Sequence, residues 1–526
     1  MKKILKKLTI KEWIIYISAF ILPIVLLLLL KKGLDNDIWY LLAEGKYIIQ
    51  NGIYHVDPLS MHADLAIVVQ NWLSAVIFWI LYAFLGSSGI FVTVIIANFF
   101  ICFLLYKICM VISKKNKILS IIIMLVTDLN LCLYFVVSRP QIFSFIILLL
   151  AIYLLELYIE TNKNKYIYYL PLLSFLEINL HASLWWMLIL FIIPYLFDSF
   201  KNQKLQLQGY NKKPLFIIFI ITLLVGFINP YGLDAITFIF RSYGDKYMLT
   251  YINELQPLTI NSFIGAHMIG VIIITTLFYV FFRDGKIRVR YIMLYCGTVI
   301  LGFISIKGLS HFILVAIFPI ALLLKDKVPK DFSNAKKILK KLSNFFVPLI
   351  GLACLGLLIF SFIKSKDKVL LENNAKDAMD LIDFFTGTNT ATVYASFNNG
   401  GYVEFRGYKA YIDPRAEVFL KINNKKEDIH SEYYDFQFGK IDVATFLNKY
   451  NFDFLLVDIT DRLYLDMDMT NYIVVYDDIS TLYKVYARND LFPEEFRKML
   501  VEEYNKSKQK NQELIDETIK NQNSTK

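Results

Sequence analysis

The candidate chemistry of this chain begins with two acids, Asp35 and Asp37, in the stretch Leu-Asp-Asn-Asp-Ile-Trp-Tyr over residues 34–40. They follow residues 13–30, which carry no charge and are long enough to cross a bilayer. An acid at the point where a membrane helix reaches water avoids the cost of burying a charge in lipid. Such a carboxylate can take a proton from a substrate hydroxyl as a general base.

Further polar residues occur in the other loops that we place on the same side. Cations and amides beside a general base indicate an anionic head group, and phosphate is the natural choice. A single Arg or Lys is more often a helix-end anchor, and a single His is as often structural, so the hypothesis depends on the whole set. The candidate binding residues are Arg139, Asn179, His181, Arg241, Glu254, Lys307 and His311.

Membrane helices are the elements that would position these residues. The chain has 526 residues, is 56% hydrophobic and has a mean hydropathy of +0.50, which is too apolar for a soluble protein. Apolar blocks of about 15 to 24 residues alternate with short polar loops. No small-residue cleavage site follows the first block, so we predict an uncleaved membrane helix rather than a signal peptide.

The net charge of +10 is distributed as in a membrane protein. Residues 364–526 carry 22 Lys and Arg against 28 Asp and Glu, whereas the preceding residues carry 33 against 17. The basic excess lies mainly in short loops between spans, which is the positive-inside pattern and not a DNA-binding face. We therefore expect membrane lipid, and no nucleic acid, among the partners. All five cysteines lie in apolar blocks, so no disulfide framework is indicated.

The basic loops predict a plasma-membrane protein with a cytoplasmic N-terminus and an extracytoplasmic C-terminal domain. If residues 72–85 and 89–112 both spanned, every later loop would be inverted against its charge, so we expect 72–85 to be an interfacial helix. A true span at 72–85 with a flipped terminus is the alternative. The loops placed in the cytoplasm are 1–12, 113–117, 161–165, 198–213, 283–290 and 325–341. The eleven expected spans are 13–30, 89–112, 118–138, 140–160, 165–180, 182–198, 214–229, 262–283, 290–304, 309–324 and 345–363.

The predicted fold is a polytopic α-helical membrane domain over residues 1–363, with a first outer loop at 31–71, followed by a mixed α/β domain over 364–490. Residues 491–526 form a polar tail, helical or disordered. The predicted strands are 392–397, 401–406, 409–412, 452–458, 472–476 and 481–486. The predicted helices of this domain and its tail lie at about 372–385, 442–450 and 492–516.

Two further sites have a functional and a structural interpretation. Asp128 lies inside a span, where an acid is a functional candidate, but we favour packing or a helix–helix hydrogen bond. Asp413 and Arg415 could bind the acceptor, and we favour instead an internal ion pair that stabilises the end of a strand.

An ordered set of motifs resembles the GT-C glycosyltransferases of bacteria, specifically the membrane transferases that use polyprenyl-phosphate sugars. The resemblance covers roughly residues 30 to 490. In the first outer loop it is carried by Asp35 to Gly45, Asn51-Gly52, Asp57-Pro58-Leu59-Ser60 and Asn71-Trp72-Leu73. Later matches are Ser138-Arg139-Pro140-Gln141, Asn179-Leu180-His181, Asn229-Pro230-Tyr231-Gly232, Glu254 with Pro257, Asn399-Gly400-Gly401-Tyr402 and Ile412-Asp413-Pro414-Arg415.

The resemblance implies transfer of a sugar from a polyprenyl-phosphate carrier to an envelope glycan, glycolipid or protein acceptor on the outer membrane face. Asp37 stands just before the aromatic pair Trp39-Tyr40, and by this position it matches the family's general base. Asp35 is the second candidate for that role. Lys307 and His311, with Arg139, would stabilise the leaving phosphate.

The chain also departs from the family pattern. Leu41 stands where the family has His, Asn71 where it has Glu, and Pro414 where it usually has Gly. Metal-dependent members of the superfamily carry a carboxylate motif in the second outer loop, where this chain has Arg139-Pro140-Gln141. We therefore predict no essential metal and no cofactor.

Two other functions stay open at the level of sequence. One is a transporter or flippase for a lipid-linked saccharide, and the other is a non-catalytic scaffold for envelope assembly. A transporter would more often show repeat symmetry or charges along a central path. It also needs no carboxylate at Asp35 or Asp37, so these acids favour the enzyme.

Overall fold

The computed structural model describes residues 10–30, 33–200, 207–282, 287–330, 373–387, 391–467, 470–478, 481–502 and 504–506. The chain divides into two compact units. Unit 1 comprises Met1–Asp35 and Val69–Leu371, and unit 2 comprises Asn36–Val68 and Glu372–Lys526. Residues 36–68 of the first outer loop thus belong to the same compact unit as the C-terminal residues, and the predicted domain boundary after residue 363 stays a prediction.

Helices make up most of the chain as far as residue 330. In chain order they are α1 (Ile10–Leu30), α2 (Asp37–Asn51, in unit 2), α3 (Trp72–Ile112), α4 (Lys117–Tyr134), α5 (Gln141–Thr161), α6 (Leu170–Leu180), α7 (Ala182–Asp198), α8 (Lys212–Val225), α9 (Leu233–Ser242), α10 (Lys246–Tyr251), α11 (Phe263–Phe281), α12 (Val289–Ile304), α13 (Leu309–Val315) and α14 (Phe318–Leu323).

Several of these helices can cross a membrane, so the chain is a multi-pass membrane protein. The described segments that are long and apolar enough are Trp13–Leu30, Trp72–Ile112, Lys117–Tyr134, Gln141–Thr161, Phe263–Phe281 and Ile306–Leu323. Ala182–Asp198 and Val289–Ile304 are shorter apolar helices. The predicted span at 345–363 lies outside the described residues, so the count of eleven stays a prediction.

Helix α3 joins two segments that the sequence predicts separately, 72–85 and 89–112. It has 41 residues and is interrupted at Gly86, whose φ of 62° and ψ of −159° are not helical. A straight helix of this length would reach about 60 Å, twice the thickness of a bilayer core. The break at Gly86 divides α3 into two segments, and the interfacial position of 72–85 stays a prediction.

The loops predicted to be cytoplasmic meet at one end of unit 1. The Asn116 amide donates to the carbonyls of Lys325 at 3.0 Å and Val328 at 2.8 Å, and Lys114 pairs with Glu160.

The neighbouring helix ends are joined by the buried Arg290, which was predicted to be a loop charge. Its guanidinium pairs with Glu156 at 3.0 Å, with Asp198 at 2.6 Å and with Gln208 at 2.8 Å.

The loops predicted to lie outside meet at the opposite end of unit 1. The Asp35 N–H donates to Ser138 Oγ at 2.9 Å, the Ala182 N–H to the Gln70 carbonyl at 2.7 Å, and the Ile306 N–H to the Gln256 carbonyl at 3.0 Å. Helix α5 runs from one end to the other, and its 21 residues span about 30 Å. The two predicted groups of loops are thus separated by a bilayer thickness.

The buried acid Asp128 of α4 makes the helix–helix hydrogen bond that we favoured. Its Oδ1 accepts from the Cys102 thiol of α3 at 3.1 Å and lies 3.6 Å from Cys132 Sγ on its own helix. Thiols are weak donors, so the contact fixes how α3 and α4 pack rather than forming a reactive site.

Unit 2 contains a five-stranded sheet in the order β2-β1-β3-β5-β4. Strand β1 (Thr392–Ala395) is parallel to β2 (Lys409–Ala410) and to β3 (Phe454–Asp458). Strand β5 (Tyr483–Arg488) is antiparallel to β3 and to β4 (Tyr472–Asp478). Five of the six predicted strands are confirmed, as is the helix at 442–450. The helices of this part are α15 (Lys376–Thr386), α16 (Phe397–Phe405), α17 (Lys421–Asn424), α18 (Ile429–Gln437) and α19 (Val443–Tyr450).

The sixth predicted strand, residues 401–406, is wrong because this segment belongs to α16. Its Tyr, Val and Phe favour a strand, but two glycines allow the backbone of α16 to pack closely. A Cβ at Gly400 would lie 1.7 Å from the Ile412 carbonyl oxygen, and one at Gly401 would lie 3.0 Å from the Tyr40 nitrogen. Packing overrides the local strand preference here.

The first outer loop is built into the same unit. It begins as α2, and the chain that follows runs beside the edge strand β2. Ser60 forms a parallel bridge with Ala410, and the Met61 N–H donates to the Ala410 carbonyl at 2.9 Å. The edge of the sheet is thereby covered, which removes an unpaired strand from solvent.

The predicted orientation can be tested by cysteine labelling. In a cysteine-free background, Lys426→Cys in unit 2 should react with a membrane-impermeant maleimide on intact cells, because we expect this exposed residue outside. The matched variant Lys163→Cys, exposed at the Glu160 end of unit 1, should react only after the cells are permeabilised. The reverse pattern would place the candidate site in the cytoplasm.

Candidate active site

Arg139 is held between two acids at the predicted outer end of unit 1. Its Nε donates to Asp35 Oδ1 at 2.7 Å, and its Nη1 donates to Glu254 Oε1 at 2.5 Å. Arg139 precedes α5, and Glu254 lies in a short 3₁₀ turn, Asn253–Leu255. About a fifth of the Arg139 and Asp35 side chains is exposed, so both remain within reach of water and of a ligand.

Lys307 lies in the neighbouring turn. The turn Ile306–Gly308 contacts Asn253–Leu255. The ammonium group of Lys307 is 3.4 Å from the Tyr243 hydroxyl and interacts electrostatically with Glu254 and Arg139. The structure thus brings three of the predicted residues, Arg139, Glu254 and Lys307, into one region.

Two histidines extend this region toward the interior. His311, which is 3% exposed, has its Nδ1 3.3 Å from Ser310 Oγ, and its Nε2 has no hydrogen-bond partner among the described residues. His181 Nδ1 lies 3.1 Å from Ser144 Oγ, and the charged groups that act on this ring are Lys307 and His311. An unsatisfied buried ring nitrogen is costly unless a ligand completes it.

Glu177 is a buried acid that the sequence analysis missed. It lies one turn before His181 in α6, and neither carboxyl oxygen has a hydrogen-bond partner among the described residues. The apolar run of the predicted span concealed it. The rule that an acid within a span is a functional candidate, which singled out Asp128, would also have found Glu177.

Two predicted binding residues are engaged elsewhere in unit 1. Asn179 accepts from Trp72 Nε1 at 3.0 Å and donates to the carbonyls of Phe175 and Ile228 at 2.8 and 3.0 Å. Arg241 pairs with Asp234 of its own helix at 3.1 Å. Asn179 therefore joins three segments of chain, and a contact of either residue with substrate stays a prediction.

An apolar cavity of about 190 Å³ lies beside Asp35. Its wall comes from the segment after α1, from α3 and from the loop between α4 and α5. The lining residues are Gly33, Leu34, Asp35, Phe91, Val94, Val136, Val137 and Ser138.

Asp37 belongs to unit 2, where it is the first residue of α2. It is partly buried, and the positive end of the helix dipole favours a negative charge at this position. The two candidate acids are therefore in different structural settings: Asp35 is paired with Arg139, and Asp37 starts a helix.

Unit 2 also contains a buried cluster of charges around Arg415, which we call the Arg415 cluster. Its guanidinium pairs with Asp413 at 2.7 Å, Asp57 at 2.8 Å, Glu404 at 3.1 Å and Glu44 at 3.5 Å, and every member is less than 6% exposed. The favoured internal pair of Asp413 and Arg415 is confirmed. Glu44 and Asp57, which come from the first outer loop, are additional partners.

Burial and charge act differently on these acids. Burial raises the pKa of Glu44 to about 8, although the charge of Arg415 opposes the change. Burial likewise raises the pKa of Glu404. Burial also acts to raise the pKa of Asp57, but Arg415 and hydrogen bonds from Ser60 hold that pKa below its ordinary value. Asp57 is therefore ionised at neutral pH, whereas Glu44 keeps a proton.

Metal ligands are not grouped in the described part of the chain, where no cluster of three His, Cys, Asp or Glu residues could hold an ion. The four acids of the Arg415 cluster surround the Arg415 guanidinium, so the cation that they share belongs to the protein.

The comparisons with known proteins yield matches among solved structures. No family model matches the sequence, and no curated protein matches it. The Archaeoglobus fulgidus oligosaccharyltransferase tethered with an acceptor peptide containing the NVT sequon matches with a TM-score of 0.56 and 12% identity, over 86% of this chain and 69% of that one. Its apo form matches with a TM-score of 0.52 and 11% identity, over 87% and 70%. At these identities the likeness concerns the fold alone, and this chain shares the fold of that oligosaccharyltransferase.

Proposed function

We propose that this protein is a membrane glycosyltransferase that moves a sugar from a polyprenyl-phosphate carrier to a cell-envelope acceptor on the outer face of a bacterial plasma membrane. The observation that carries the proposal is the group of Arg139, Lys307, His181 and His311 at one end of the helical unit of a GT-C fold. Cations beside partly accessible acids are what a phosphate leaving group requires.

In the proposed reaction, an acceptor oxygen attacks the anomeric carbon of the donor sugar. The bond from that carbon to the phosphate oxygen breaks, its electron pair stays on the lipid phosphate, and a base takes the acceptor proton. Arg139 and Lys307 stabilise the negative charge on the departing phosphate. His311 Nε2, which lacks a partner among the described residues, can donate a hydrogen bond to the same group when it carries a proton.

Asp37 is the proposed general base. The start of α2 favours its ionised form, which is the form that accepts a proton. Asp35 is the second choice, because its carboxylate already accepts a hydrogen bond from Arg139 at 2.7 Å. Its main contribution would be to orient the guanidinium toward the phosphate.

The apolar cavity beside Asp35 supports a lipid-linked donor. Its walls of Leu, Val and Phe side chains suit the isoprenoid carbons closest to a phosphate, and Asp35 and Ser138 mark its polar edge. The cavity accommodates only a short part of such a chain, so the remainder would extend into the bilayer.

Substitution of Asp37 tests the base. Asp37→Asn keeps the size of the side chain and removes the proton acceptor, so transfer by the purified protein should fall by about 10² to 10⁴-fold with donor binding retained. Membrane levels should stay normal, because losing a helix-terminal charge costs only about 0.3–1 kcal/mol. Asp35→Asn should lower the rate of transfer less than Asp37→Asn does.

The matched control is Asp64→Asn. Asp64 is an exposed residue of the same loop with a φ of 59°, a backbone conformation that Asn tolerates well. Full transfer by Asp37→Asn would eliminate Asp37 as the base.

Substitution of Lys307 tests the phosphate site. Lys307→Gln keeps a donor for Tyr243 but removes the charge, so polyprenyl phosphate should bind about 10 to 100-fold more weakly in nanodiscs. Added salt should weaken binding less in this variant than in the wild type. The control Lys163→Gln changes an exposed lysine at the other end of unit 1 and should bind like the wild type. Equal affinity of both variants would show that Lys307 does not contact the phosphate.

A further inference from the structure

The Arg415 cluster contains four acidic side chains, more than its single cation could neutralise if all of them were ionised. A guanidinium has five N–H donors. Asp413 takes those of Nε and Nη2 at 2.9 and 2.7 Å, Glu404 takes one at 3.1 Å, and Asp57 takes one at 2.8 Å. Glu44 is left with a long contact of 3.5 Å to Nη1.

Glu44 is accordingly the least well paired member. Its Oε1 accepts from the Tyr54 hydroxyl at 3.4 Å, and its Oε2 has no hydrogen-bond partner among the described residues. The charged groups that act on it are Arg415 and three acids, Asp413, Asp57 and Glu417. In a dry interior, several carboxyl groups beside one cation do not all ionise, so the poorly paired Glu44 takes up a proton, and burial raises the pKa of Glu404 as well.

We propose that the Arg415 cluster is the positioning device for helix α2, and that it holds α2 in place only while Glu44 keeps its proton. Glu44 lies within α2, whereas the other members come from the loop after α2, from α16 and from the segment after β2. Ionisation of Glu44 adds an uncompensated charge between Asp57 and Asp413, and the simplest relief is movement of α2 away from the cluster.

The effect reaches Asp37 because both residues belong to one short helix. They are seven positions apart, so they share a helix face and lie about 10 Å apart along the axis. Between them, Trp39 packs edge-on against Tyr402 with ring centroids 4.9 Å apart, and Gly401 admits the backbone of Tyr40. These contacts make α2 move as one body, so Glu44, Trp39 and Gly401 are positioning residues for Asp37. This consequence for catalysis rests on the proposed function, whereas the hold on α2 does not.

The direction of the pH dependence follows from the proton. Burial raises the pKa of Glu44 from its ordinary 4.5 to about 8. At pH values between these two, Glu44 therefore carries a proton in the folded unit and has lost it in the unfolded chain. The attachment of α2 is therefore strongest below about pH 4.5 for this group, weakens as the pH rises, and levels off above about pH 8. One such proton makes the opening equilibrium of α2 rise about tenfold per pH unit in this window.

Hydrogen exchange on the full-length protein in nanodiscs measures this directly. Between about pH 5.5 and about pH 7, and after correction for the intrinsic exchange rate, peptides from α2 should open about tenfold more per pH unit, and peptides from α19 should not. Glu44→Gln imitates the protonated side chain and should abolish the slope in α2. Asp461→Asn is the control, since Asp461 is a buried acid of the same unit that bonds to Tyr394 and Gln437 instead of Arg415. It should leave the α2 slope intact.

Each outcome is decisive. A wild-type α2 whose opening does not depend on pH, or a Glu44→Gln variant with the wild-type slope, overturns the proposal. If Glu44→Gln does not fold, the wild-type comparison of α2 with α19 decides alone. In a transfer assay, kcat of the wild type should fall as the pH rises through about 8, and Glu44→Gln should retain activity at higher pH. If neither protein transfers a sugar while the exchange slopes behave as expected, the proposed function fails and the positioning role stands.

Discussion

The pairing of one buried guanidinium with four carboxyl groups is the constraint on which unit 2 depends. Arg415 joins Asp57 across 358 residues of sequence, and it connects the first outer loop, α16 and the segment after β2. Removing one partner from such a buried group leaves an uncompensated charge, which typically costs about 3–5 kcal/mol. The guanidinium thus makes the loop that carries Asp37 part of a packed domain.

Unit 1 uses arginines in a related way at its two ends. At one end Arg290 is buried with Glu156 and Asp198 and joins the ends of α5, α7 and α12. At the other end Arg139 pairs with Asp35 and Glu254 but stays partly exposed. The difference in burial separates the two arginines, because Arg139 remains accessible to water and to an anion, whereas Arg290 is enclosed by its partners. Among the described residues of the same unit, Nε2 of His311 and the carboxyl oxygens of Glu177 are buried without a hydrogen-bond partner.

Sequence reasoning was most successful where the pattern was local or where charge had to be compensated. The apolar blocks within the described residues form helices, and five strands formed where alternation predicted them. The thiol contact of Asp128 and the pair of Asp413 with Arg415 are those we favoured. It failed where the deciding contact was distant along the chain. Residues 401–406 carry strand-forming side chains, and only the approach of Ile412 and Tyr40 to Gly400 and Gly401 explains their helix. Likewise, nothing local in residues 36–68 indicates that their partner lies hundreds of residues later.

The central proposal is that this protein breaks the bond between a sugar and a lipid phosphate. The most direct test reconstitutes the purified protein in liposomes with a labelled polyprenyl-phosphate sugar in the outer leaflet and with envelope material from a deletion strain as acceptor. Release of polyprenyl phosphate and labelling of the acceptor, measured together by mass spectrometry, should occur in equal amounts. Movement of intact donor between the leaflets, without release of polyprenyl phosphate, would contradict the claim and identify a transporter.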